Sequence, residues 1–156
     1  MLLAVKANQW ARTSRLFAFM STQIYINIDV DDLERAIAFY SVGLNLVLKR
    51  RLFGGRVAEL TGGTSTIHLL THAAESAPVP HLAEGRDYDR HWTPVHLDFV
   101  VPDIDKALAA AIAAGAKLER EVQNYSWGKI AGVADPFGHG ICLIQLLGAG
   151  YDDVSC

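Results

Sequence analysis

The chain has 156 residues, enough for one compact domain or two small fused halves. Hydrophobic residues make up 51% of it and its net charge is −3, so it can bury a sizeable core and offers no basic block to nucleic acid. Its apolar runs fall far short of a membrane span. Its two cysteines, Cys142 and Cys156, build no disulfide framework, which makes a reducing cytoplasm the expected compartment.

Residues 1–21 read as an N-terminal extension. They carry Lys6, Arg12 and Arg15 and no acid, and those charges interrupt any apolar stretch that would suit a secretory signal. The core is expected to leave out residues 1–19, either as a peripheral upstream segment or as a helix packing on a neighbouring subunit. Residues 22–75 form the first structural module: an alternating strand "IYINIDV", an acidic turn, a helix, then short strands separated by glycine turns. Residues 76–91 hold Pro78, Pro80 and many charges and read as a linker with one helical turn. Residues 92–147 repeat the first pattern, with a helix ending near Gly115. Residues 148–156 are a tail.

The two modules align at an offset of 71 residues, which sets Val30 on Val101, Asp32 on Asp103 and Leu33 on Ile104. With small insertions, Gly55-Arg56-Val57 meets Gly128-Lys129-Ile130, and His68-Leu69-Leu70 meets Cys142-Leu143-Ile144. Each unit is βαβββ. Strand alternation then sorts the faces. Ile24, Ile26, Ile28 and Val30, like Val95, Leu97, Phe99 and Val101, belong under the helices, against Leu33, Ile37 and Tyr40 or Ile104, Leu108 and Ile112. Tyr25, His68, His96 and Cys142 fall on the opposite, wetter face at corresponding positions.

The stretches "IDVDDLERAIAFYSVGLNL", "VHLDFVVPDIDKALAAAIAAGAKL" and "WGKIAGVADPFGHGICLI" resemble the vicinal oxygen chelate superfamily, the glyoxalase/bleomycin resistance/dioxygenase proteins. The resemblance covers Thr22 to about Leu147. It implies an α+β fold in which two βαβββ modules form a curved mixed sheet around a concave cup, with the helices on the outer face. It also implies a homodimer, which would cover open sheet edges. Metal-dependent relatives place ligands at four strand positions, occupied here by Tyr25, His68, His96 and Cys142. Only His96 is the usual residue type there; none of the four is a carboxylate. The resemblance therefore implies a protein that holds a small organic ligand, aromatic or heterocyclic, with no cofactor and no tightly bound metal. The alternative is a metal-dependent glyoxalase-like lyase or ring-cleaving dioxygenase. It would use a divalent Zn, Ni, Mn or Fe ion on His68, His96 and Cys142, a set zinc accepts.

The expected lining of the cup is Tyr25, Asn27, His68, His96, Asp98, Trp127 and Cys142. His96 and Tyr25 are the candidates for acid–base work. Asp98 lies two residues from His96, about 7 Å along the same strand face, where a carboxylate would orient the ring and make it more basic. Each also has a plain reading: His96 as a sheet-bonded histidine, Tyr25 as core or lining, and Cys142 as a small buried apolar side chain. Trp92 and Trp127 offer flat faces to a ring or close a core. His139, in "DPFGHG", reads as an exposed turn histidine, and His72, His81 and His91 read as solvated. Arg50, Arg51 and Arg56 surround a glycine turn as a solvated hairpin or a basic rim for an acidic ligand. No phosphate loop, GxSxG elbow or CxxC pair occurs.

Overall fold

The computed structural model of the protein describes residues 23–80 and 84–155; the N-terminal extension, His81 and Cys156 lie outside them. The element order is β1 (Tyr25–Val30), α1 (Leu33–Ala38), β2 (Val47–Leu52), β3 (Val57–Thr61), β4 (Thr66–Thr71), β5 (Leu97–Val100), α2 (Ile104–Ala113), β6 (Lys117–Tyr125), β7 (Gly128–Ala134) and β8 (Gly140–Leu146). Two four-stranded sheets result, β1-β4-β3-β2 and β5-β8-β7-β6. In each, the first strand pairs parallel with the last and the other pairs are antiparallel. This is βαβββ twice, as the repeat predicts, and among the described residues no ladder joins the two sheets.

The repeat extends to the helix caps. Asp32 and Asp103 are N-caps in extended conformation, and their side chains accept the backbone N–H of Arg35 and Lys106. α1 is short and continues as a π-helical turn, Phe39–Gly43. There α2 comes close enough that a Cβ on Gly43 would stand 2.9 Å from Ala114 Cβ. Small residues at this crossing let the two modules share one core, which joins Val30, Phe39, Leu60 and Leu69 to Ile104, Val133, Phe137 and Leu143. Ile26, Ile37, Leu97 and Leu108 pack on its margin. Ile112 departs from expectation and is 44% exposed; Ala111 takes the buried position.

The linker contains no helical turn among its described residues. Its side chains tie it down instead. Arg86 donates to Asp29 at 2.6 Å and to the carbonyls of Ser76 and Ala77. Tyr88 donates to the His72 carbonyl, and the Arg90 guanidinium reaches both carboxylate oxygens of Glu119.

Candidate functional site

Register sets four residues abreast on the face away from the helices of each sheet. In the first sheet they are Asn27, His68, Glu59 and Arg50. In the second they are Asp98, Cys142, Gly132 and Arg120. Each row ends at a β-bulge, because the register slips between Leu48 and Arg50 and between Leu118 and Arg120. An extra residue at a bulge brings two neighbours opposite one partner. Lys49 and Arg50 accordingly both reach Glu59, at 2.8 Å each.

The first row is a closed charge network. His68 Nδ1 lies 3.2 Å from Asn27 Oδ1 and its Nε2 3.5 Å from Glu59. Tyr25 lies against the His68 ring at 5.3 Å, yet is itself 58% exposed. Glu59 is nearly covered, and hydrogen bonds from Arg50 and Lys49 hold its pKa at about 2, against an ordinary 4.5. A depressed folded-state pKa stabilises the protein above the unfolded value and ceases to do so as pH falls through the folded one. Acid titration followed by circular dichroism should therefore show stability falling between pH 4.5 and 2, and Glu59→Gln should flatten that fall. Arg50 is thus engaged with Glu59, and Arg51 is paired with Glu34 at 2.7 Å, so these two do not form a free basic rim.

The second row is open. His96 Nε2 lies 3.1 Å from Asp98 Oδ1, and one donor atom each from His96, Asp98 and Cys142 fall within 4.8 Å of one another. His68 belongs to the other sheet, so the cluster the fold assembles around Cys142 contains Asp98 in its place. Trp92 tilts against His96 at 4.9 Å, and Arg90 lies over Trp92 at 5.6 Å.

A cysteine ligand must be a thiolate. Burial pushes the Cys142 thiol up, as does the adjacent Asp98 charge, and Arg120 only partly offsets them. The Arg120 guanidinium donates to Cys142 Sγ at 3.3 Å, placing a fixed cation at the very sulfur a metal would take. The cluster therefore suits hydrogen bonding to an organic group better than it suits a second cation.

Trp127 stands apart. It stacks flat on Tyr125 at 5.3 Å and tilts against Tyr151 at 4.9 Å, beside the short 3-10 helix Gly150–Val154. Its neighbour Gly128 is in register with Leu146, about 13 Å along β8 from Cys142 at the strand rise.

Sequence reasoning missed Glu59 and Arg120, which only strand register brings into line. It also missed a cluster around the "DPFGHG" turn. Asp135 is buried, and its oxygens accept four hydrogen bonds: Phe137 N–H and His139 N–H on Oδ1, Tyr40 O–H and His139 Nδ1–H on Oδ2. Burial alone would raise its pKa, but these donors outweigh burial and hold it below the ordinary range; Tyr40, itself buried beside that charge, is pushed well up. His139 is thus a bonded, largely covered residue, and His91 packs edge-on against it at 5.0 Å. The Asp–x–x–x–His spacing across a glycine turn was the available signal.

A family profile described as "Glyoxalase-like domain" matches residues 25–144. No curated protein matches the sequence. Among solved structures, a glyoxalase/bleomycin resistance protein/dioxygenase family enzyme from Burkholderia phytofirmans is 24% identical, with TM-score 0.63 over 79% of this chain and 97% of that one. A glyoxalase-related enzyme from Fulvimarina pelagi is 17% identical, with TM-score 0.62 over 81% and 88%. Glyoxalase I from Zea mays is 24% identical, with TM-score 0.56 over 78% of this chain but only 44% of its own. At these identities the likeness is one of fold.

Proposed function

The chain belongs to the glyoxalase-like domain family of the vicinal oxygen chelate superfamily, and from that footing we propose that it binds a small aromatic or heterocyclic molecule on the His96–Cys142 face, without a resident metal. The observation that carries the reading is Arg120 on Cys142 Sγ. A guanidinium in that place supplies fixed donors to a polar ligand atom and repels a divalent cation. His96, oriented by Asp98, gives a second hydrogen-bonding group, and Trp92 gives a flat apolar wall. Apolar walls with a few convergent polar groups are what small-molecule sites are made of. A homodimer belongs to this reading, because Val95, 80% exposed, and Trp92, 59% exposed, leave apolar surface beside the site.

The test is isothermal titration of the protein with a panel of aromatic and heterocyclic compounds, alongside sedimentation equilibrium for the dimer. His96→Ala is expected to weaken the best binder by about 1–2 kcal/mol, the worth of one hydrogen bond, with an unchanged circular dichroism spectrum. Equal affinity in the variant would remove His96 from the site. Family membership alone does not choose between binder and enzyme, because chemistry resides in the site.

A further inference from the structure

Edge strands β1 and β5 border a slot of about 490 Å³ between the two sheets. Ile26, Leu97 and Ile141 supply apolar walls, and Asn27, His91 and His139 supply polar groups. Asp29 also reaches it, but its carboxylate is engaged by Arg86. The His139 ring is held in one orientation by Asp135. Asp135 is ionised and can only accept, so the hydrogen at 2.9 Å belongs to Nδ1 of His139, and Nε2 is the ring nitrogen left for a ligand. His91 is oriented likewise, with its Nδ1 2.9 Å from the Asp89 carbonyl, another pure acceptor. A buried carboxylate that orients an imidazole and stabilises its protonated form is the arrangement a general base needs. Burial and four hydrogen bonds fix that carboxylate, with one donor, Tyr40, coming from the other module.

We infer that this slot is a second binding site, which takes a flat ring carrying a weakly acidic hydroxyl and passes that proton to Nε2 of His139. The ligand O–H bond breaks, an N–H bond forms on the imidazole, and the resulting imidazolium faces the Asp135 carboxylate while the ligand stays bound as its oxyanion. The inference goes beyond the cup reading and shares with it His96, Asn27 and Val95, which border the slot.

The probe is 4-nitrophenol, whose absorbance separates phenol from phenolate, with 4-nitroanisole as the same ring lacking the proton. Equilibrium dialysis of the full chain should show 4-nitrophenol binding about tenfold more tightly or better, the difference one charged hydrogen bond makes. The bound dye should absorb as phenolate at a pH where the free dye is still mainly phenol. His139→Gln should abolish that band and bring 4-nitrophenol down to the affinity of 4-nitroanisole. If that variant does not fold, Leu97→Phe, which fills the slot from its wall, should weaken 4-nitrophenol at least as much. Equal binding of the two probes, no binding of either, or a phenolate band that survives His139→Gln would overturn the inference. Loss of 4-nitrophenol in Arg120→Met with none in His139→Gln would do so too, while leaving the cup reading in place.

Discussion

Asp135→Ala is expected to lower stability by about 3–5 kcal/mol, the range for removing one partner of a buried charged network. Four donors would be stranded at once. Two are backbone N–H groups that hold the turn after β7, and one is the hydroxyl of Tyr40, which is fully buried. The Tyr40 bond spans 95 residues and ties the first module's helical turn to the second module's strand end, so the loss falls on the contact between halves. For a chain of this length each kcal/mol moves the melting temperature by about 2–4 °C. Calorimetry should show a drop on the order of 10 °C, and adding Tyr40→Phe to Asp135→Ala should recover only the share owed to the stranded hydroxyl, about 1–3 kcal/mol. A shift of only a degree or two would mean that the turn is held by something else.

Gly138→Ala is expected to remove about 3 kcal/mol, by two additive routes. Gly138 sits at φ +90°, where an L side chain is strained by about 1–3 kcal/mol. A Cβ there would also strike the Asp89 carbonyl, a backbone atom that cannot swing aside; crowding of that kind adds about 1–3 kcal/mol. The linker is hydrogen-bonded to this glycine through His91 N–H at 3.0 Å. The substitution should therefore also displace His91 from His139. Chemical denaturation measures the first effect, and the His91 and His139 ring resonances measure the second. Unchanged resonances in a folded variant would contradict the packing described.

Much of the fold was legible because period-two alternation and a 71-residue repeat are short-range signals that tertiary contacts did not override. Asp32 and Asp103 cap matching helices, and Ile26, Ile28, Val30, Leu97, Phe99 and Val101 face the core as expected, whereas Ile24 and Val95, just ahead of β1 and β5, are exposed because no helix reaches them. Site residues were harder for a physical reason. Partners such as Glu59 with Arg50, or Arg120 with Cys142, meet through strand register and a bulge, neither of which leaves a local pattern. The linker histidine His91 and the turn histidine His139 looked solvated because their partners, Asp89 and Asp135, make sense only once the turn is folded. Trp127 was expected in the cup by its place near a strand end, whereas its own neighbours Tyr125 and Tyr151 take its ring.

The proposed function rests on Arg120, in place of a metal ion, as the partner of Cys142 Sγ. Elemental analysis of the purified protein, before and after chelator treatment, tests it most directly. The expected result is far less than one equivalent of zinc, nickel, manganese or iron per chain, and unchanged ligand affinity after chelation. Near-stoichiometric metal, lost on chelation and absent from the His96→Ala and Cys142→Ala variants, would contradict it and give the site to metal-dependent chemistry.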